Sequence, residues 1–190
     1  MPDAGQIRTD RLDPEREARR RLALSQIRRY PDPVLRMRAR EVERFDEDLA
    51  RLAQRMIELM RDANGVGLAA NQVGVLQRVF ILQATEDDTA QILVNPVVTP
   101  IGDETEIDDE GCLSLPGVLV PIERSVSVSV EARSVSGAER RLELEGMIAR
   151  AAQHELDHLD GVLLIDRTTP EARREALAIL RPRAVISSSG

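Results

Sequence analysis

The chain has 190 residues and a mass of 21.1 kDa, which fits one domain that buries roughly two thirds of its unfolded surface. With 42% hydrophobic residues, 11 Gly and 10 Pro, the composition is globular rather than collagen-like or low-complexity. A net charge of -7, two Phe, one Tyr and no Trp argue against nucleic-acid binding, because phosphate is repelled and bases find few aromatic partners. We therefore expect no DNA partner.

The sequence also limits the expected cellular location. Its single cysteine cannot form an internal disulfide, so nothing requires an oxidising compartment. No stretch approaches the ~20 apolar residues of a membrane helix, and the N-terminus lacks the apolar core of a secretory signal. The sequence therefore predicts a cytoplasmic protein with no membrane partner.

The N-terminal stretch is polar. Asp13 followed by Pro14 and by acids in the first turn is typical of a helix start and predicts a short polar helix. We expect residues 1–26 to form a polar extension. Deletion of residues 1–25 is then expected to leave folding and activity nearly intact.

An amphipathic helix is predicted next. Apolar residues recur at three- and four-residue steps from Leu49 to Met60, behind Asp46 as a candidate N-cap. Asn64-Gly65 supplies a left-handed stop.

Three apolar runs predict β-strands, at residues 79–82, at 92–98 with a break at Pro96, and at 126–130. In the third run Val alternates with Ser, and after a loop at Gly137 a second run alternates Leu with Glu. This pattern predicts an antiparallel hairpin with one solvent-exposed face.

The remaining segments complete the expected organisation. Residues 86–110 carry nine acids and no Arg and are interpreted as a solvated loop and hairpin surface. The later elements are predicted as a helix at 147–160 closed by Gly161, a buried strand at 162–165 and a helix at 170–180. We expect residues 27–180 to form the domain and residues 181–190 to form a C-terminal tail.

The two histidines of the chain form one motif. His154 and His158 are four residues apart within a predicted helix, with Glu155 between them. Four residues turn a helix by about 400°, so both imidazoles project from one face about 6 Å apart along the axis, where one metal ion can bridge them. Glu155 lies about 100° from His154 and can reach a water beside the metal. This H-E-x-x-H pattern is typical of metal-dependent hydrolases.

The residues alone leave several candidates for the third metal ligand. A catalytic ion takes a third protein ligand and keeps one position open. Leu164 stands where the longer H-E-x-x-H-x-x-G-x-x-H pattern needs its third ligand, which disfavours that protease class. The carboxylates of Asp166, Glu171 and Glu175 and the thiol of Cys112 remain as candidates.

A glycine cluster, Gly65-Val-Gly-Leu-Ala-Ala-Asn-Gln72, follows the first long helix. Its two glycines let another backbone approach closely, and Gln72 offers an amide donor for a developing oxyanion. A nucleotide-binding loop is disfavoured because the cluster follows a helix and lacks a third glycine. Taken alone, the cluster is typical of a helix stop followed by a tight turn.

Three segments together carry a wider resemblance: Gly65-Val-Gly-Leu-Ala-Ala-Asn-Gln72, Glu110-Gly-Cys-Leu-Ser114 and Gln153-His-Glu-Leu-Asp-His-Leu-Asp-Gly161. They resemble the three signature motifs of peptide deformylases, in the order of that family. The stretch from Tyr30 to about Leu180 is similar to the body of the family, and residues before Ile27 exceed its usual start.

The resemblance implies a single α+β domain in which three antiparallel β-sheets surround the central helix that carries the H-E-x-x-H motif. It implies hydrolysis of the formyl group from the N-terminal formyl-Met of nascent polypeptides, with release of formate. The expected partners are formyl-Met nascent peptides and the ribosome near its exit tunnel. The implied cofactor is one divalent metal ion per chain, natively Fe(II), with Zn, Ni or Co also compatible with the ligands.

The resemblance also implies roles for individual residues. Cys112, His154 and His158 would bind the metal, with Glu155 as general base. Gln72 and the backbone N–H of Leu113 would hold the oxyanion. The substrate-binding positions would be Gly65, Val66, Gly67, Leu68, Met147 and Ala151.

Two other functions stay open at this level. An H-E-x-x-H metallopeptidase would need a carboxylate as third ligand and would tolerate loss of Cys112. A non-catalytic deformylase-like module that only binds nascent chains would need neither Glu155 nor Gln72, so their presence favours the enzyme. The chain departs from the family at Leu119, near the place where many members carry an Arg.

Overall fold

The computed structural model describes residues 13–181, which contain five α-helices and seven β-strands. The helices are α1 (Pro14–Gln26), α2 (Glu47–Asp62), α3 (Gly146–Leu159), α4 (Leu164–Arg167) and α5 (Pro170–Leu180). The strands are β1 (Gly67–Ala69), β2 (Val79–Leu82), β3 (Gln91–Pro100), β4 (Thr105–Cys112), β5 (Leu115–Ser125), β6 (Ser127–Arg133) and β7 (Glu139–Glu145). None of the described helices is long and apolar enough to span a membrane.

The described strands form two antiparallel sheets, not the three that the resemblance implies. One has five strands in the order β1-β2-β3-β6-β7, and the other pairs β4 with β5. The long strand β3 explains the difference, because its first half pairs with β2 and its second half with β6. Two ladders are thereby joined into one sheet.

Strand β3 also continues through Pro96, where the sequence predicted a break. The register shifts between Val94 and Val97, and Asn95 adopts a positive φ of 51°. The Asn95 side chain donates to the carbonyl oxygen of Val42 at 2.9 Å and accepts from its N–H at 2.8 Å. A bulge of this kind accommodates proline, which cannot donate to a ladder.

The motif helix α3 lies between the sheets. It contacts β1, β2, β3, β6 and β7 of the large sheet and β5 of the small one. Helix α2 packs beside β1 and β2, and α4 and α5 pack on β5. The predicted fold class, an α+β domain with antiparallel sheets around the H-E-x-x-H helix, is confirmed.

Most predicted elements are present. Helix α2 begins after its Asp46 N-cap, and the hairpin of β6 and β7 places Val128 opposite Leu144. The predicted strand at 162–165 is wrong, because Leu164–Arg167 is a short helix. Four apolar residues, three of them buried, do not distinguish a strand from a helix. Here the Asp166 carboxylate accepts the Leu163 N–H at 2.8 Å.

Helix α1 is docked on the rest of the fold. It begins at the predicted Asp13 cap, and Ala23 is only 2% exposed against the core beside α2. Leu24 is partly buried in the same cluster. The boundary at residue 27 stays a prediction, and most of the predicted tail, residues 182–190, lies outside the described part of the chain, as do residues 1–12.

Candidate metal centre

Three candidate metal ligands converge in the structure. Helix α3 places the rings of His154 and His158 with centroids 4.9 Å apart. Strand β4 ends at Cys112, whose Sγ lies 3.2 Å from Nε2 of His158. One donor atom from each residue lies within 4.8 Å of the others, the single such group within residues 13–181.

The donor set fits a catalytic metal ion. One thiolate and two imidazoles suit Zn²⁺ and several other divalent transition metals, and three protein ligands leave one coordination position open. The rival carboxylate of Asp166 instead forms ion pairs with Arg36 and Arg173 and accepts from the Leu163 N–H. Cys112 is thus the candidate third ligand that lies beside the two histidines.

Glu110 forms a hydrogen bond with the ring of His154. Its Oε2 lies 3.0 Å from Nδ1 of His154, and both of its oxygens accept hydrogen bonds from Arg124, at 2.9 and 3.0 Å. Burial alone would raise the pKa of Glu110, but these hydrogen bonds outweigh it and lower the pKa to about 2. A carboxylate of this kind fixes the orientation of a ligating imidazole.

The sequence-based interpretation of residues 86–110 as a solvated loop and hairpin surface is wrong in two places. Strand β3 runs through it with Leu93 and Val94 fully buried, and Glu110 at its end is only 5% exposed. Arg124 is also buried, and sequence reasoning did not identify it. The signal was present, since Val120, Ile122 and Arg124 alternate along β5 and share its inward face. Arg124 also donates a hydrogen bond to Asp157 on α3 at 2.7 Å, and this bond links the small sheet to the motif helix.

Glu155 lies beside the three donors with one oxygen free. It is 4% exposed, and its Oε2 has no hydrogen-bond partner in the described part of the chain. Burial is the main reason that its pKa is raised from 4.5 to about 7. A carboxyl group with a pKa near neutrality can both accept and return a proton.

Gly67 makes room for this carboxylate. A Cβ built on Gly67 would lie 2.5 Å from Oε1 of Glu155, closer than real Cβ atoms approach. Strand β1 therefore passes against Glu155 only because this position has no side chain. The glycine cluster and the H-E-x-x-H helix meet here.

Gln72 lies close to Cys112. Its Oε1 accepts the Ala69 N–H at 2.9 Å, which turns the amide nitrogen toward the donors. That nitrogen donates to Ser114 Oγ at 3.1 Å and, over a longer 3.7 Å, to Cys112 Sγ. The hydrogen directed at the sulfur is the one that a ligand oxygen beside Cys112 would accept. Leu113 lies in the turn between β4 and β5.

A cavity of roughly 550 Å³ opens over these residues. Leu68, predicted to bind substrate, has a fully buried side chain in the core beside α2 and does not line the cavity. Of the other predicted substrate-binding and catalytic residues, the cavity wall contains Gly65, Val66, Gly67, Gln72, Leu113, Met147, Ala151 and Glu155. Arg20, Leu24 and Arg29 also line it, and sequence reasoning did not assign them to the site.

Fold and site together define an α+β metal-dependent hydrolase, with a Cys-His-His centre beside a buried carboxylate. The family model for polypeptide deformylase matches residues 24–174. The peptide deformylase of Thermotoga maritima is 48% identical over 147 residues, which cover 77% of this chain and 88% of that relative. Peptide deformylase 1 of Corynebacterium efficiens is 44% identical over 162 residues, 84% of this chain and 96% of that relative.

Solved structures agree with the sequence relatives. The crystal structure of peptide deformylase from Thermotoga maritima aligns with a TM-score of 0.72 over 76% of this chain and 97% of that chain, at 48% identity. A peptide deformylase from Legionella pneumophila aligns with a TM-score of 0.77 over 81% and 91%, at 37% identity. The chain belongs to the peptide deformylase family and is a formyl-removing hydrolase. The peptidase and inert-module alternatives are not favoured.

Proposed function

We propose that Cys112, His154 and His158 hold one divalent metal ion and that Glu155 is the general base in removal of the formyl group from formyl-Met peptides. The observation that carries the proposal is the convergence of three donor atoms within 4.8 Å beside a buried carboxylate with an unpartnered oxygen. When bound, the metal polarises the formyl carbonyl and increases the acidity of water.

Glu155 moves the proton in this reaction. It takes a proton from the attacking water as the oxygen adds to the formyl carbon, and it then gives that proton to the amine nitrogen as the C–N bond breaks. The products are formate and a peptide with a free N-terminal Met. A pKa of about 7 suits both proton transfers.

Gln72 and Leu113 stabilise the developing oxyanion. The Gln72 amide is oriented by the Ala69 N–H and by Ser114, so it donates without rearrangement during the reaction. The backbone N–H of Leu113, in the adjacent turn, is the second donor. Donors aligned in advance in this way typically contribute about 100-fold or more each to the rate.

The substrate-binding residues form two groups. Val66, Met147 and Ala151 offer an apolar wall for the methionine side chain. Gly65, Gly67 and Leu68 act through their backbones, because β1 is the edge strand of the large sheet and an extended peptide can pair with such an edge.

We assign Fe(II) as the native ion, with Zn, Ni or Co as substitutes that the same donors accept. The expected setting is the cytoplasm, where formyl-Met chains emerge near the ribosomal exit tunnel. Residues 27–180 are proposed as the catalytic domain.

The experiment is an assay of formate release from formyl-Met-Ala-Ser, with and without a chelator, beside the matched acetyl peptide. We expect metal-dependent turnover of the formyl peptide. The acetyl peptide should react at least about 10–200-fold more slowly, because a pocket fitted to hydrogen must accept an extra methyl group. Equal kcat/KM values for the two peptides would rule out a deformylase site.

A further inference from the structure

The N-terminal helix α1 forms part of the wall of the substrate cavity. Arg20 and Leu24 of α1, and Arg29 just beyond it, line the same cavity as Cys112 and Glu155. The helix is anchored, because Ala23 and Leu24 pack into the core beside α2. Its cavity-facing side chains therefore have a defined place relative to the metal centre.

The segment after α1 is tied to both sides of the site. The Arg28 N–H donates to the carbonyl oxygen of Gln72 at 2.7 Å, and the Tyr30 N–H donates to that of Ser114 at 2.9 Å. Arg29 lies between these two bonds, so its backbone is fixed between the glycine cluster and the cysteine motif. From there Arg29 lines the cavity and also the neighbouring groove.

The charged groups of the cavity differ in whether they are already paired. Arg150 donates to Glu110 at 3.0 Å and to the carbonyl oxygens of Ile122 and Glu106, both at 2.8 Å. Glu110 is in turn bound by Arg124. Glu155 and His154 belong to the metal centre. Asp109 on β4 is exposed, and its carboxylate forms no ion pair within residues 13–181.

Arg20 and Arg29 differ from Arg150, the other arginine of the cavity. Within residues 13–181 neither guanidinium takes part in an ion pair or a side-chain hydrogen bond, although both border the cavity. Helix α1 and the following segment thus place two arginines at the cavity whose guanidinium N–H groups have no partner within these residues. The planar guanidinium group matches a carboxylate in a bidentate manner.

We propose that Arg20 and Arg29 are specificity-determining residues that bind an acidic side chain at one of the two positions after the formyl-Met. The proposal rests on the proposed function, because it requires the formyl end to lie at Glu155 and the rest of the peptide to run along this cavity. Leu24, on the same wall, packs against the apolar part of the bound peptide.

The size of the effect follows from the exposure of both arginines. A solvent-exposed ion pair changes an equilibrium by about 2- to 5-fold, and salt screens it. We therefore expect formyl-Met-Glu-Glu-amide to have a kcat/KM about 2- to 5-fold above that of formyl-Met-Gln-Gln-amide at low ionic strength, with the difference in KM. The two peptides have nearly the same shape, and the amide removes the terminal carboxylate.

The test compares this Glu/Gln ratio between variants of the full chain loaded with metal. Arg20→Gln and Arg29→Gln should each lower the ratio, and the double variant should bring it to about one. Arg21→Gln is the matched control, because Arg21 lies next to Arg20 but does not line this cavity. It borders the neighbouring groove, which shares only Leu24 and Arg29 with the cavity. Arg21→Gln should leave the ratio unchanged.

The ratio is measured on one enzyme sample, so a loss of folded or metal-loaded protein cancels. A wild-type ratio of one, or a ratio that the double variant leaves unchanged, would overturn the proposal while the deformylase function stood. Failure to turn over either peptide would instead overturn the proposed function, and the specificity proposal with it.

Discussion

The contact between Gly67 and Glu155 allows a test of the general base that leaves its carboxylate intact. In Gly67→Ala the new Cβ would lie 2.5 Å from Oε1, 2.8 Å from Cγ and 2.9 Å from Cδ of Glu155. Ordinary contacts begin at 3.4 Å, so one of the two groups must move by about 0.9 Å. Glu155 is buried on a packed helix, and Gly67 is held by its pairing with Leu82.

A displacement of about 1 Å in a catalytic group costs on the order of 100-fold in rate. We expect Gly67→Ala to lose roughly that factor in kcat for formate release, with KM less affected. Overpacking should also lower the free energy of unfolding, by about 1–3 kcal/mol. The metal content should stay normal, because the three atoms nearest the new Cβ all belong to Glu155 and none to a metal-donor residue.

Gly111→Ala is the matched control on the same cavity wall. Its built Cβ meets nothing closer than 3.6 Å, so we expect activity within about twofold of the parent. The assay is formate release at saturating and limiting formyl-Met-Ala-Ser, with metal measured in the same samples. If Gly67→Ala keeps more than about a tenth of the parent kcat with full metal, the reaction does not depend on the fixed position of Glu155 against β1, and this reasoning is wrong.

Three further substitutions test other parts of the site. Glu155→Gln should keep the metal and lose about 100-fold or more in turnover, because an amide cannot accept the proton; near-normal turnover would contradict this. Cys112→Ser should bind metal poorly after dialysis, since a hydroxyl is not ionised as a coordinated thiol is; full metal retention would place the third ligand elsewhere. Glu110→Gln should weaken metal binding about 10–100-fold, and unchanged affinity would show that His154 needs no such support. The pKa of Glu110 is lowered from 4.5 to about 2, so its stabilising effect is complete above about pH 4.5 and is lost as the pH falls toward 2. The free energy of unfolding of Glu110→Gln should therefore change less between about pH 4.5 and pH 2 than that of the parent protein.

The local elements could be predicted where one chemical pattern dominates. The Asp46 cap and apolar spacing determined α2, and the alternation of Val with Ser determined the hairpin of β6 and β7. The prediction of a strand at residues 162–165 was wrong because a short apolar run is compatible with either a strand or a helix. There the deciding contact, the Leu163 N–H to Asp166, forms only once the turn is in place.

Part of the candidate site could likewise be predicted from local sequence patterns, and part could not. The spacing of His154 and His158 on one helix is a local property, so geometry predicted that they would share a face. The approach of Cys112 needed the pairing of β4 with β5 and the packing of β5 on α3, which periodicity does not encode. Glu110 was misassigned for the same reason, because an acid in an acidic segment becomes buried only when Arg124 arrives from the facing strand.

Helix α1 offers a last test, since its polar composition predicts a dispensable extension and its packing predicts the opposite. Burial of Ala23 and partial burial of Leu24 are worth about 2–3 kcal/mol together, at about 0.8 kcal/mol per buried CH₂ and 1.5–3 for a large side chain. Each kcal/mol shifts Tm by about 2–4 °C in a domain of this size, so deletion of residues 1–25 should lower Tm by roughly 4–12 °C. Leu24→Ala should show part of this loss, whereas Leu22→Ala, on the same helix but 64% exposed, should show almost none. If the deletion variant has the same Tm as the parent, α1 adds nothing to the stability of the core. It then cannot form a fixed wall of the cavity.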